Sequence, residues 1–345
     1  LGLTAAQGTR QRLHRVRARQ VVLAAGAFER PLVFAHNDIP GVMAATSVTT
    51  YINRYGVVPG TKLVICTTND SAYQTAIDWH QAGREVVAVV DTRSVLDGDL
   101  VAAAKALGIN VIAGHGVIEA QGGKRVKRAL IAPLNDDGSA VTGSARRLDC
   151  DLIATSGGWS PAIHLSSHTG AKPIWDEQIV GFRPGASKQQ ERSAGACRGT
   201  YSLAGCLAEG ASAGAEAAKL AGCGDGNMHF PLPTCEEYAQ QPQQALFLVP
   251  HTKSASRAPS QFVDVQLDVT AGGVELAVRE GFESVEHVKR YTALGFGTDQ
   301  GKLGNINGMA ILANALGQSI AETGTTIFRP SYTPTTFGAL AGRDV

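Results

Sequence analysis

Residues 62–91, KLVICTTNDSAYQTAIDWHQAGREVVAVVD, read as one strand–helix–strand unit. Lys62, Leu63, Val64, Ile65 and Cys66 make an apolar run of buried-strand type. Asn69, Asp70 and Ser71 then supply a helix N-cap, with the Asp70 carboxylate expected to satisfy the first free backbone N–H groups. Tyr73, Ala76, Ile77 and His80 fall at i, i+3, i+4 and i+7, the spacing of one apolar helical face. Gly83 ends the helix, and residues 85–90 form a second strand that closes on Asp91. In a dinucleotide fold this arrangement places a pyrophosphate on the helix N-terminus and a ribose on the acidic residue. Here the turn lacks the glycines that let phosphate approach backbone, and Asp70 puts a negative charge where phosphates belong. The unit reads as a Rossmann-like scaffold without its nucleotide.

Upstream, residues 19–30, RQVVLAAGAFER, begin as a strand and reach a turn at Gly26. Residues 36–60 form a connector and a helical segment that Pro59 and Gly60 stop. Downstream comes a short strand at 109–113, then a hairpin of 117–119 and 126–132 around Gln121, Gly122 and Gly123. Residues 148–155 return as a buried strand. His164 and His168 stand four apart with no third ligand in view, so a surface or ring-packing role is expected. Residues 207–222 make a helix of small residues, in which Ala211, Gly214, Ala215 and Ala218 permit close approach to a sheet or cofactor. The prolines of 223–261 mark an interdomain linker.

A compact helical unit follows. Thr270 caps one helix, stopped by Gly281, and Ser284 caps a second, ended by Gly295. Met309, Leu312, Ala313 and Leu316 make a third amphipathic face, stopped by Gly317. Between the last two helices, residues 287–309, HVKRYTALGFGTDQGKLGNINGM, crowd polar side chains among glycines. Such glycine density marks backbone that turns tightly or approaches something closely.

The 345 residues point to two or three domains, and 44% apolar with 18% charged residues fit a globular α/β chain. A formal net charge of +1 argues against nucleic acid or an anionic membrane as the main partner. No apolar run approaches the roughly 18 residues needed to span a bilayer. No secretory leader is visible, and an opening at Leu1 in mid-domain reads as a fragment. Six scattered cysteines, with no CxxC pair and no zinc spacing, fit thiols in a reducing cytoplasm.

Three blocks, VVLAAGAFERP (21–31), CDLIATSGGWSP (150–161) and GTYSLAGCLAEGASAG (199–214), resemble the FAD/NAD(P)-type, two-dinucleotide-binding flavoprotein fold. NDIPGVM (37–43), INRYGVVPG (52–60), TNDSAYQTAIDWHQAG (68–83) and HVKRYTALGFGTDQGK (287–302) resemble the α subunit of heterotetrameric sarcosine oxidase. That resemblance implies a partial FAD/NAD(P)-binding-like Rossmann domain at 1–222 with an insert at about 61–150, the linker at 223–261 and a small helical domain at 262–322. Residues 323–345 would then begin a connector to a folate-binding aminomethyltransferase domain. No G-x-G-x-x-G occurs, so the family's main pyrophosphate cradle is not among these residues.

The family's reaction is oxidative demethylation of sarcosine to glycine, with O2 reduced to peroxide and the one-carbon unit passed to tetrahydrofolate. Its amine-oxidising flavin lies on the β subunit, which also carries FMN at its interface with α; γ and δ subunits complete the assembly. The resemblance therefore assigns this chain no catalytic residue. It implies cofactor enclosure instead, with no membrane or nucleic-acid partner. For NAD it implies contacts at Ala25 and Gly26 and at the turn Gly205, Cys206 and Leu207. Many flavoproteins carry Asp where Cys206 stands, so weak or no NAD binding by this chain alone is expected.

The helical unit resembles the bacterioferritin-associated-ferredoxin type of [2Fe–2S] domain. Its four cysteine positions correspond to Asp264, Gln266, Asp299 and Gly304, so the fold is expected without the cluster. The polar loop is then free for another ligand. Thr298, Asp299, Gln300, Lys302 and Asn305 are expected to line the α side of the FMN site, with Lys302 as a cation for phosphate. The rival readings are the α subunit of an opine- or proline-type amine dehydrogenase and a non-catalytic scaffold subunit.

Overall fold

The computed structural model describes residues 13–326, 328 and 333–341. The expected connector at 323–345 and the start of the first domain lie partly outside the described residues. In chain order the first ten strands are β1 (Val21–Leu23), β2 (Ala27–Glu29), β3 (Val42–Ala44), β4 (Lys62–Thr67), β5 (Glu85–Asp91), β6 (Val111–Ile112), β7 (His115–Gly122), β8 (Val126–Pro133), β9 (Arg146–Asp149) and β10 (Leu152–Ser156). Helices α1 (Ala45–Tyr55), α2 (Ala72–Gln81) and α3 (Asp99–Ala106) lie among them.

The unit of residues 62–91 sits inside a parallel sheet of order β3-β10-β4-β5-β6. Its apolar run is continuous because both faces are covered. Leu63 and Ile65 face α1, α2 and α3 through Val48, Tyr73, Trp79 and Val101. Val64 and Cys66 point the other way, onto an antiparallel meander of order β7-β8-β9, through Val117, Ala129 and Ile131.

Two sequence expectations shift here. The buried face of α2 ends on Trp79, whose indole N–H donates to the Glu85 carbonyl at 2.9 Å, while His80 is exposed. The single strand expected at 148–155 is two: β9 belongs to the meander and β10 to the parallel sheet. Between them Asp151 accepts backbone N–H bonds from Thr61 and Lys62 at 2.8 Å, so its carboxylate pins the start of β4 beside the change of sheet.

The next strands are β11 (Trp159–Pro161), antiparallel to β2, then β12 (Ile174–Asp176), β13 (Gly181–Arg183) and β14 (Glu191–Ser193), which runs parallel to β1. Helix α4 (His164–Ser167) is short; α5 (Leu203–Leu220) starts earlier than expected because Ser202 caps it, accepting from the Gly205 N–H at 3.2 Å. The small-residue face of α5 is not pressed against a sheet. A Cβ at Gly210 or Gly214 would meet nothing within 4 Å.

The region expected as a linker is docked in its second half, where Leu246, Phe247 and Val249 are buried. Then come β15 (Phe262–Asp264), β16 (Val269–Thr270), α6 (Ala271–Arg279), α7 (Val285–Thr292), α8 (Asn305–Leu316), α9 (Ile320–Thr323) and α10 (Phe337–Ala341). The caps act as expected: Thr270 accepts from Gly273 N–H at 3.1 Å and Ser284 from His287 N–H at 3.3 Å. The left-handed residue that closes α7 is Ala293, at φ 64°, rather than Gly295 two residues on. Val274, Ala277, Val288, Leu294, Met309 and Leu312 form this unit's own core. No helix of the described residues is long and apolar enough to cross a membrane.

Candidate functional site

Open α/β sheets receive ligands at the carboxyl ends of their strands. At the ends of β4 and β5 that space is filled from within. The Arg93 guanidinium donates to Asp70 Oδ1 and Asp91 Oδ2 at 2.7 Å each and to Asp91 Oδ1 at 3.0 Å. The Tyr73 hydroxyl donates to Asp91 Oδ2 at 2.9 Å. Asp70 therefore does not cap α2. Ser71 holds the N-cap position without capping: its hydroxyl donates to Asn69 Oδ1 and accepts from the Trp159 indole N–H at 3.0 Å, and the second Asp70 oxygen accepts from Gln241 N–H at 2.8 Å. A guanidinium is a stronger partner for a buried carboxylate than a free peptide N–H. Burial pushes the Asp91 carboxyl up, against the Arg93 and Tyr73 bonds.

The stretch 239–244 lies over this group. Ala239 N–H donates to Asp99 Oδ2 at 2.7 Å, Asp97 N–H to Gln241 Oε1 at 3.0 Å, and Gln244 N–H to the Thr68 carbonyl at 2.9 Å. Among the described residues a ribose finds no free edge on Asp91, while Asn69, Asp70 and Ser71 at the start of α2 share a cavity of about 360 Å³ with residues 240–243, Trp159 and Tyr201. Behind the same stretch lies Arg30, 1% exposed, which among the described residues donates to carbonyls: Gly157 at 2.6 and 2.9 Å and Val180 at 2.9 Å. Phe247 stacks on it, 4.8 Å from ring centroid to guanidinium carbon, and burial pushes its pKa down to about 10.

The two turns expected to meet NAD lie off the same end of the β1–β14 pair. Gly26, at φ 75°, offers its carbonyl to Ala162 N–H at 3.0 Å. Gly205, Cys206 and Leu207 lie in the first two turns of α5. The Cys206 thiol donates to the Thr200 carbonyl at 3.0 Å. Glu209, which the sequence reading missed, organises this corner by accepting from Gly195 N–H at 2.8 Å and Thr200 Oγ1 at 2.6 Å.

The five residues expected to face FMN do not converge. Thr298 and Gln300 line an outward groove of about 460 Å³ with Lys289, Arg290, Phe296 and Phe328. Lys302 and Asn305 line a small cleft with His164 and Ile306. Asp299 borders a third cavity, of about 330 Å³, between the helical unit and the sheet. Four of the five also make hydrogen bonds in or beside the loop. Thr298 donates to Gln266 Oε1 from its N–H at 3.0 Å, Asp299 accepts from Gly301 N–H at 3.1 Å, Lys302 donates to the Asp299 carbonyl at 3.1 Å, and Asn305 donates to Thr326 at 3.1 Å. Burial lowers the Lys302 pKa, opposed by the Asp299 charge.

The four positions aligned with cluster cysteines all border that third cavity. Asp264 accepts from Gly295 N–H at 3.0 Å. Among the described residues no group of three or more His, Cys, Asp and Glu is placed to hold a metal ion, and all six cysteines are free thiols. His164 packs as a ring, 4.0 Å from Phe328 and edge-on to Phe28 at 6.1 Å, and burial pushes its pKa down to about 4.

A parallel sheet with an antiparallel meander inserted before its returning strand, beside the parallel β1–β14 pair, defines a Rossmann-type α/β fold. The crystal structure of L-proline dehydrogenase from P. horikoshii shares this fold with a TM-score of 0.63 at 21% identity, over 93% of this chain and 58% of that one. Residues 258–343 match the sarcosine oxidase A3 domain. The chain is 39% identical, over 99% of its length, to sarcosine oxidase subunit alpha of Corynebacterium sp. (strain P-1). It is 40% identical, over 96% of its length, to that of Rhizobium meliloti (strain 1021). The chain belongs to the sarcosine oxidase α-subunit family. It spans about a third of the length of these relatives, 35% and 32%.

Proposed function

We propose that these residues enclose cofactors in the α subunit of a cytoplasmic oxidoreductase that demethylates sarcosine to glycine with O2 and tetrahydrofolate. They would work beside a β subunit carrying the amine-oxidising flavin, with γ and δ subunits. No residue here is assigned to the C–H oxidation or to tetrahydrofolate.

The groove beside the Gly-rich loop carries this reading. Lys289 and Arg290 supply positive charge for a phosphate beside Glu286, which pairs with Arg290 at 3.3 Å; Phe296 adds an apolar ring, and Thr298 and Gln300 hydrogen-bonding groups, in a space of about 460 Å³. That combination fits an interface FMN, which supplies two-electron redox chemistry when bound. Asp299, Lys302 and Asn305 would then support the loop from behind rather than touch the flavin. NAD is assigned to the turns at Ala25 and Gly26 and at Gly205, Cys206 and Leu207, not to the crevice that Arg93 fills. Weak NAD affinity is expected, because the thiol of Cys206 and the carboxylate of Glu209 already have partners.

The test is the FMN content of the assembled complex with Lys289→Glu and Arg290→Glu together. Reversing two charges at a phosphate should reduce FMN per complex at least about tenfold, while the β-subunit flavin stays. Normal FMN content in the double variant would overturn the assignment.

A further inference from the structure

We propose that the cavity of about 360 Å³ at the start of α2 binds an uncharged, planar nitrogen heterocycle with a lactam edge, in chemical terms a nucleobase without its phosphate. This rests on neither the flavin nor the NAD assignment.

The carboxyl ends of four parallel strands open onto this space. Asn69 and Ser71 follow β4, Trp159 follows β10, Ala27 follows β1 and Ala196 follows β14, and all five residues line the cavity. Two separate sheets thus present the same ends to one crevice, the place where open α/β sheets receive ligands. Residues 240–243 supply a further wall.

The walls select the chemistry. Trp159 and Tyr201 border the cavity, and among the described residues neither ring pairs with another aromatic ring. Both are held at their polar ends: the indole N–H donates to Ser71 Oγ at 3.0 Å, and the Tyr201 hydroxyl donates to the Trp159 carbonyl at 3.2 Å. Fixed aromatic faces without a ring partner offer a flat π system a surface to stack on. At the rim stand Gln178 and Gln240, both exposed, whose side-chain amides make no hydrogen bond among the described residues. A carboxamide sets a donor beside an acceptor, the complement of a lactam C=O and N–H. Charge excludes the phosphate. Among the described residues no Lys, Arg or His lines the cavity, and its one carboxylate, Asp70, is already answered by Arg93 at 2.7 Å and by Gln241 N–H at 2.8 Å. An anionic ligand group would lose its water with no cation to replace it, and an ammonium would find no free carboxylate.

The experiment is calorimetric titration of hypoxanthine into the purified protein at neutral pH, with urate, a negatively charged ring of the same bicyclic shape, as control. Saturable heat is expected with hypoxanthine and none with urate. Gln178→Leu and Gln240→Leu together remove both amides from exposed positions and should weaken hypoxanthine at least about tenfold. Trp159→Ala should weaken it about tenfold as well, and Trp159→Phe, which keeps a ring and drops the indole bond to Ser71, should recover most of that loss. The paired leucine variant decides the matter alone if Trp159→Ala fails to fold by circular dichroism. No saturable heat with the unmodified protein, equal binding of urate, unchanged binding by the leucine variant, or a Trp159→Phe protein as weak as Trp159→Ala would each overturn the proposal.

Discussion

His164 is 5% exposed between two phenylalanine rings, and that enclosure decides its protonation. Burial lowers its pKa from 6.5 to about 4. Between those values the unfolded chain binds a proton that the folded chain refuses, so stability falls as pH drops through this window. Once fully developed, a gap of that size amounts to about 3 kcal/mol. Glu29 acts in the opposite sense. Burial raises its pKa, so its ionisation above the ordinary 4.5 weakens the fold as pH rises. His164→Phe keeps the ring packing and removes the titration. Urea unfolding at the two ends of the window should show unmodified protein losing about 3 kcal/mol relative to the variant on acidification; parallel losses in both would contradict this origin. The packing role was readable from the sequence, because two histidines without a third ligand make a poor metal site. Its partner Phe328 was not, since nothing local links positions 164 and 328. The same limit misplaced Asp70: adjacent residues make it a helix cap, and only the fold brings Arg93 to it at 2.7 Å.

Among the elements, caps and periodicity were the legible part, and irregular chain was not. Thr270, Ser284 and Gly317 act where their chemistry predicts, because capping is settled within a few residues. The stretch 239–244 carries Gln and Pro with no apolar period, so it reads as a free linker; its docking rests on backbone groups that composition cannot show. Gln241 is its fixing point, through its N–H on Asp70 and its side-chain oxygen on Asp97 N–H. Gln241→Pro removes both. The stretch should then become the first site of cleavage in limited proteolysis, with cutting between 236 and 245 accelerated about tenfold or more, while the Arg93 bonds keep β4 and β5 intact. A digestion pattern matching the unmodified protein would show that the stretch is held by something other than these two bonds.

At the scale of the molecule, two cores meet across a polar seam. The class was legible because its signature blocks sit in strands and turns, whereas the seam between units leaves no periodic trace. The sheet packs on its helices and meander, the helical unit has a separate core, and Asn37 bridges them like one residue of a strand. Its side chain donates to the Phe262 carbonyl at 2.8 Å and accepts from the Phe262 N–H at 2.8 Å. Asn307 adds a bond to the Pro31 carbonyl at 2.9 Å, and His36 N–H one to Ser260 at 2.8 Å. Phe262 and Asn37 also border the third cavity. Asn37→Ala leaves both Phe262 backbone groups without a protein partner, at a cost of about 2 kcal/mol borne by the contact between units rather than by either core. Scanning calorimetry should therefore resolve a second, lower transition for the helical unit, with the sheet's own transition nearly unmoved. Asn37→Asp, which keeps an acceptor for the N–H but sets a charge against the carbonyl, should separate the two transitions at least as far. If both variants still melt in one step at the original temperature, the seam is held by the apolar contact of Val33 with the helical core, and Asn37 adds nothing to the coupling.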